Sequence, residues 1–342
     1  MSTERIKIGQ IGVCHEHASG KILSLKKMPE IFDIVGVVND RETSSAARFA
    51  GDDLSPYEGL KFVTEEELFH TPGLRAVMVE TPNLELVPAA IRCLEHRLPV
   101  HMDKPGGEDL ALFAGMRNGF AERGLPFQMG YMFRGNPAIQ WCVKAVRRGW
   151  LGDILEAQAD MNHDYGGEAY QEYLGRFGGG IMFNLGCHLI DVIVAMLGAP
   201  RKIAPFLKNV PGDPETVRNN CLAVLEYPHA AVTLRAHSRA VGGLDRRRLK
   251  ICGTKGMVEL CPLERFDGQA LTMCLTLRDG NEEYTAGTHL LDFGIIRDRY
   301  EAQLREFAEI IRGNTPDIYG YEHDYLVQKA LLAASGYAKW NE

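Results

Sequence analysis

The sequence predicts an α/β chain: an N-terminal doubly wound parallel sheet of Rossmann type, then an α+β domain with a large, open, mostly antiparallel sheet. Three observations carry this. Over the first 126 residues, short apolar runs without polar alternation recur between helical stretches, as in strands buried on both faces. After about residue 150 the runs alternate apolar and polar, as in antiparallel strands with one wet face. A chain of 342 residues exceeds the usual single core, so two domains are expected, 1–126 and 127–342.

Residues 5–13 read as a strand ending at Gly12, 16–27 as a helix, 33–39 as a second apolar strand and 43–50 as a helix. Thr64 and Glu67 have the spacing of a capping box for a short helix. Strand 75–80, helix 84–96, strand 98–102, helix 108–123 and strand 126–131 continue the alternation. In the second domain 153–161, 220–227, 230–237, 249–252, 257–263 and 271–277 read as antiparallel strands, with a hairpin over 223–235 around Pro228-His229. Residues 189–197 form an apolar helix, and helices at 300–312 and 322–339 close the chain. The second domain is long enough to supply a substrate wall and an oligomer face.

Hydrophobic residues make up 45% of the chain and charged residues 24%, ordinary for a globular protein. Net charge is −7, and the densest basic run, Arg246-Arg247-Arg248, reads as a solvated strand start, so nucleic-acid binding is not expected. The eight cysteines form no C-x-x-C pair, which excludes zinc-ribbon and thioredoxin readings and leaves reduced core residues. Met-Ser-Thr-Glu-Arg leads straight into a strand, and no apolar run approaches the ~18 residues of a membrane span. The expectation is a cytoplasmic protein without signal peptide or membrane partner.

Gly12-Val13-Cys14-His15-Glu16-His17 lies where the first strand turns into a helix. A dinucleotide fingerprint has glycine at three spaced positions; here Gly12 keeps the first, while Cys14 and His17 fill the others. The segment is a candidate cofactor turn through Gly12, Val13, Cys14, His15 and His17, or else an ordinary strand–helix turn. His17 is expected to turn away from the helix–strand contact or to touch the cofactor edge. A metal site at His15 and His17 is not expected, because residues i and i+2 of a helix diverge. Asp40 follows the second strand, 28 residues after Gly12. A carboxylate there accepts both ribose hydroxyls and repels a 2′-phosphate, favouring NAD over NADP; Arg41 softens that preference. Thr81-Pro82-Asn83 ends the next strand with an amide available to cofactor or substrate.

Asp103-Lys104-Pro105 places a charged pair at the C-terminal edge of a buried strand, where open α/β sheets bind ligands. Desolvating that pair is costly unless it is used. Lys104 can hydrogen-bond a cofactor and a substrate hydroxyl together. Three glycines, Gly178-Gly179-Gly180, precede Asn184 and His188, which at i and i+4 share a helix face, with Asp191 beyond. Tyr131, Arg134 and Asn136 follow the last strand of the parallel set. Asn162, His163, Asp164 and Tyr165 follow the first strand of the second domain. Hydroxyl, amide and guanidinium groups of this kind suit a polyhydroxylated ligand, and equally suit loops facing water.

In this order the residues resemble the glucose–fructose oxidoreductase / inositol dehydrogenase / rhizopine catabolism (Gfo/Idh/MocA) family. The likeness includes Gly12, Asp40, Glu80-Thr81-Pro82-Asn83, Asp103-Lys104-Pro105 and Gly130-Tyr131-Met132-Phe133-Arg134. It continues through Leu151-Gly152-Asp153-Ile154, the glycine-rich lead into His188-Leu189-Ile190-Asp191, and Gly253-Thr254-Lys255-Gly256. The family has Glu-Lys-Pro where this chain has Asp103-Lys104-Pro105, and an aspartate where this chain has Asn184. The resemblance implies a Rossmann domain, a bound NAD(P), dimers or tetramers, and catalytic roles for Lys104 and His188.

Together these readings predict an NAD-dependent dehydrogenase of a sugar, inositol or sugar derivative. His188, with an ordinary pKa of about 6.5, is the base; Lys104 stabilises charge on the substrate oxygen; Asn184 orients. A second reading keeps NAD resident for redox-neutral glycoside cleavage or epimerisation. A third is a non-catalytic sugar- or nucleotide-sensing regulator.

Overall fold

The structure, a computed structural model, describes residues 4–44 and 46–341. The chain divides into two compact units: Met1–Met132 with Tyr300–Tyr325, and Phe133–Arg299 with Leu326–Glu342. The sequence reading had set one break after residue 126; here the first unit also takes a late helical segment.

In the first unit β1 (Ile6–Ile11), α1 (Ala18–Lys26), β2 (Phe32–Val38), α2 (Glu65–Phe69), β3 (Ala76–Val79), α3 (Leu86–Glu95), β4 (Val100–Met102), α4 (Leu110–Glu122) and β5 (Phe127–Met129) follow one another. The strands are all parallel, in the order β2-β1-β3-β4-β5. Every residue of β3 and β4 is buried, as their unbroken apolar character requires. Strand order reverses between β1 and β3, so their C-terminal ends form the switch point where such sheets take ligands. Thr64 and Glu67 do close a reciprocal capping box on α2.

The helix expected over 43–50 is absent; the described residues there form turns and bends, and residue 45 lies outside them. Short polar side chains take over the local backbone bonding. Thr43 Oγ1 donates to the Asp40 carbonyl and Ser44 Oγ accepts from the Ala46 N–H.

The second unit contains α5 (Pro137–Arg147), β6 (Ile154–Asn162), α6 (Gly167–Leu174), α7 (Cys187–Leu197), β7 (Lys202–Lys208), β8 (Asn220–Glu226), β9 (Ala231–His237), β10 (Arg248–Gly253), β11 (Gly256–Leu260), β12 (Thr272–Leu277) and β13 (Gly287–Asp292). Two helices follow, α8 (Glu301–Ile311) and α9 (Tyr321–Ala334). The eight strands are ordered β13-β12-β11-β10-β6-β9-β8-β7. The β8–β9 hairpin forms as expected, with the Tyr227 N–H on the Ala230 carbonyl. One pairing corrects the antiparallel expectation: β6 and β9 run parallel, because the chain between them crosses over through α6, α7, β7 and β8. Strands β7 and β13 were not foreseen. Both are exposed edge strands, β7 carries Pro205, and edges lack the alternation that buries one face.

Helix α7 packs on α5 and β6 and is buried almost throughout. The triple glycine before it is required by the fold's own packing. Gly180 has φ +50°, and a Cβ there would lie 2.0 Å from the Arg218 carbonyl oxygen, which accepts the Ile181 N–H. Arg247, read as solvated, is buried: Nε donates to the Asn162 carbonyl and Nη1 to Glu264. All eight cysteines are free, five of them buried. Among the described residues no helix is long and apolar enough to cross a membrane.

Candidate active site

The site in the first unit begins where β1 ends. Gly12 adopts φ +95°, and a Cβ there would lie 2.5 Å from the Thr81 nitrogen at the end of β3. Only glycine lets the two strand ends meet this closely. The next amide, Val13 N–H, donates to Asp40 Oδ1 at 2.8 Å. Asp40 Oδ2 is buried and accepts from no nitrogen or oxygen donor among the described residues; Thr81 Oγ1 is likewise buried and without a partner. Cys14 is buried beside Asp40, and burial first, then the Asp40 charge, push its thiol up to about 12. Arg41 lies 3.8 Å from Asp52 in a partly exposed ion pair. Pro82 and Asn83 are buried directly after Thr81.

Helix α1 starts at Ala18 and not at residue 16, so His15, Glu16 and His17 lie in the turn. All three reach the same strand end, beyond β4. His15 Nε2 is 3.0 Å from the Lys104 carbonyl and donates to it, since its Nδ1 accepts the His17 N–H at 3.1 Å. Lys104 Nζ donates to Glu16 Oε1 at 3.1 Å. His17 Nδ1 lies 3.1 and 3.2 Å from the two oxygens of Asp103. His17, which stands in a glycine position, is therefore a fastener of Asp103-Lys104 together with His15 and Glu16, while Cys14, in the other, lies beside Asp40. His17 turns toward Asp103 and rests near the Tyr300 ring, 5.7 Å between centroids.

Behind Asp103 stands a fully buried ammonium that the sequence reading missed. Lys21 Nζ lies 2.7 Å from Asp103 Oδ2, 2.8 Å from Glu80 Oε1 and 2.9 Å from His101 Nε2. His101 Nδ1 in turn lies 2.7 Å from Gln128 Oε1, and Gln128 Nε2 donates to Glu306 at 3.0 Å. The three Lys21 donors are thus all used. Burial raises Glu80 well above the carboxylate range, with the Asp103 charge adding to it. Burial would raise Asp103 too, but His15, Lys21 and His17 hold it well below that range. The pair therefore keeps a proton on Glu80 and the charge on Asp103. Burial lowers His15 to about 3 and also lowers His17, so both rings are neutral. Burial opposes ionisation of Glu16, but the Lys104 charge, then the two histidines, bring it down to about 2.

His15, His17 and Asp103 offer ligand atoms within 4.8 Å of one another. Helical divergence does not separate these histidines, as the sequence reading had it. What opposes a cation here is the Lys21 ammonium on Asp103 Oδ2 and the His15 Nδ1 lone pair already spent on the His17 amide. The sequence signal for Lys21 was available: it lies with Ala18, Ile22 and Leu25 on the buried stripe of α1.

In the second unit His188 is the second residue of α7, buried, with its ring 5.6 Å from that of Phe133. Asn184 lies in a π-helical turn, Met182–Gly186, and its Nδ2 donates to the Tyr170 hydroxyl at 2.9 Å. The family model for the GFO/IDH/MocA C-terminal domain matches residues 139–259, which hold this helix and most of the sheet. Over residues 139–259 the chain is similar to the C-terminal domain of the Gfo/Idh/MocA family.

A bovine (Bos taurus) trans-1,2-dihydrobenzene-1,2-diol dehydrogenase is 25% identical over 242 residues, 69% of this chain and 68% of the relative. Aldose-aldose oxidoreductase from Caulobacter crescentus, complexed with glycerol, superposes with a TM-score of 0.78 at 19% identity, covering 98% of this chain and all (100%) of that one. GenD2 from gentamicin A biosynthesis, in complex with NAD, gives 0.77 at 19% identity over 98% and 94%. At these identities the two structures establish the shared fold.

The other candidate residues separate by their partners. Arg134 forks onto Asp191, with Nη2 on Oδ1 at 2.7 Å and Nε 3.1 and 3.2 Å from the two oxygens, both side chains buried. Asn136 is the N-cap of α5: its side-chain Oδ1 accepts from the Ala138 and Ile139 N–H groups, and its Nδ2 donates to the Leu263 carbonyl. Asn-Pro at 136–137 was a legible helix start that the sequence reading passed over. His163 stacks on Tyr165 at 3.7 Å, and Tyr165 is exposed. Tyr131, in the first unit, is buried.

Proposed function

We propose that this chain is an NAD-dependent oxidoreductase that moves a hydride between a hydroxyl-bearing carbon of a sugar, inositol or related polyol and the nicotinamide. The observation that carries this is the seating of Lys104: a fully buried ammonium at the C-terminal edge of β4, held by Glu16, beside an Asp103 that Lys21 supports from behind. So many desolvated charges at a ligand-binding edge cost stability unless they serve a ligand. NAD fits the residues present: Gly12 gives the close turn, while Asp40 Oδ2 and Thr81 Oγ1 are buried acceptors or donors awaiting hydroxyl partners. Asp40 favours an unphosphorylated ribose, hence NAD over NADP.

Bound NAD supplies the hydride acceptor. Lys104 holds the substrate oxygen and offers N–H to the negative charge that develops on it. His188 takes the hydroxyl proton. Asn184 cannot ionise and has its amide on Tyr170, so it orients. The name of the bovine relative, a dihydrodiol dehydrogenase, supports a substrate with neighbouring hydroxyls on a ring.

The test is incubation of the pure protein with NAD and a panel of sugars, inositols and cyclic diols, following NADH absorbance and products together. A ketone formed in step with NADH is expected. Product formed without net NADH overturns net oxidation and favours a resident NAD. Binding of NAD and sugar with no product at all overturns the enzyme reading in favour of a sensor.

A further inference from the structure

Lys104 has a counter-ion that is fixed in place by its neighbours. Lys104 Nζ donates to Glu16 Oε1 at 3.1 Å, with the lysine side chain fully buried and that of Glu16 13% exposed. On either side of Glu16 the chain is fastened to the strand end that carries Lys104: His15 to the Lys104 carbonyl, His17 to the Asp103 carboxylate. Glu16 therefore has little freedom to leave.

The surrounding charges pair off. Among the described residues of its unit, the titratable groups around Lys104 include Glu16, His15 and His17 from the β1–α1 turn and its own neighbour Asp103; behind them stand Glu80 at the end of β3, Lys21 on α1 and His101 on β4. Lys21 is balanced by Asp103, while Glu80 holds its proton and the histidines are neutral. Glu16 is left as a counter-charge at hydrogen-bond distance from Lys104. It stays ionised at any working pH. Burial by itself favours the neutral amine of a lysine, whereas a carboxylate at hydrogen-bond distance favours the ammonium.

We propose that Glu16 is a positioning residue for Lys104: its fixed negative charge keeps Lys104 an ammonium and aims it, so that Lys104 works as a hydrogen-bond donor and never as the proton acceptor. This rests on the role given to Lys104 above, and it leaves the base to another group.

The test reads the charge of Lys104 directly. Protein labelled with 13C at lysine Cε is titrated by NMR, with the Lys104 resonance assigned by its loss in Lys104→Arg. Wild-type Lys104 is expected to keep its proton to about pH 9 or above, against an ordinary midpoint near ~10.4. Glu16→Gln is expected to lower the midpoint by about one to three units, the scale of a lost neighbouring charge in a buried site. Glu16→Asp, which keeps the charge on a shorter arm, should fall between. An unchanged midpoint in Glu16→Gln overturns the proposal. So does a wild-type Lys104 that loses its proton below about pH 8, a result that needs no variant to fold. NAD binding is measured on the same samples. Intact NAD binding with an unshifted midpoint overturns only the role of Glu16; wild-type protein that fails to bind NAD overturns the functional reading instead.

Discussion

Lys21 Nζ sits 2.7 Å from Asp103 Oδ2, with both side chains removed from solvent. The ammonium also reaches Glu80 and His101, so one cation organises two carboxyls and an imidazole beneath the Asp103-Lys104 edge. Replacing it by an apolar side chain leaves Asp103 as a buried charge with fewer partners. Lys21→Met should cost about 3–5 kcal/mol, the usual result of breaking a buried pair from one side. Urea unfolding checks this. The double variant Lys21→Met with Asp103→Asn should recover part of the loss, because it removes the stranded charge.

Stability should depend on pH through two overlapping windows. His15 binds no proton when folded until about pH 3, whereas its ordinary value is 6.5. Between those values the unfolded chain carries the extra proton, so the contribution of His15 is complete above 6.5 and is lost as pH falls toward 3. Glu16 moves from 4.5 to about 2, so its contribution is complete above 4.5 and is lost as pH falls toward 2. Glu80 is raised in the folded state and works in the opposite sense above 4.5. A difference measurement removes that overlap. The stability gap between wild type and His15→Asn should change with pH between 4.5 and 6.5, by up to about 1.4 kcal/mol per pH unit. A gap independent of pH there would show that the folded His15 titrates normally.

Gly12→Ala should abolish NAD binding before anything else. A left-handed φ costs an alanine roughly 1–2 kcal/mol, and the added methyl would meet backbone of Glu80 and Thr81 that cannot swing aside. Circular dichroism and cofactor titration on the same preparation separate a distorted turn from a lost fold. Binding equal to wild type would remove this turn from the cofactor site.

How much of this was legible in the sequence follows from burial. Strands β3 and β4 were plain because each is a continuous apolar run. The edges β7 and β13 were invisible because neither buries a face in alternation. The 43–50 helix failed because Thr43 and Ser44 bond their own backbone. Lys104 could be named from its strand-end position, but its setting could not. That setting depends on His15, Glu16 and His17 leaving the helix, since α1 begins only at Ala18. It also depends on Lys21, whose place on a buried stripe was a signal left unread. Asn136 and Arg134 show the reverse: polar residues that read as ligand contacts are partly or wholly taken by a helix cap and by Asp191.

Asp40 is expected to set the cofactor preference. One oxygen already holds the Val13 amide and the other is buried without a nitrogen or oxygen donor among the described residues. Wild-type protein should bind NAD more tightly than NADP. Asp40→Ser should weaken NAD by about tenfold, near 1.4 kcal/mol, and narrow or reverse the preference. Tighter binding of NADP by the wild-type protein would contradict the role of Asp40.

The central claim is that Lys104 and His188 serve one hydride transfer to NAD. The most direct measurement is NADH formation on the best substrate of the polyol panel, by wild type, Lys104→Ala and His188→Ala side by side, with NAD affinity measured for each. Turnover should fall by roughly 10²–10⁴ in both variants, with NAD affinity changed much less. Turnover undiminished in either variant, or no NADH from the wild type with any substrate, would contradict it.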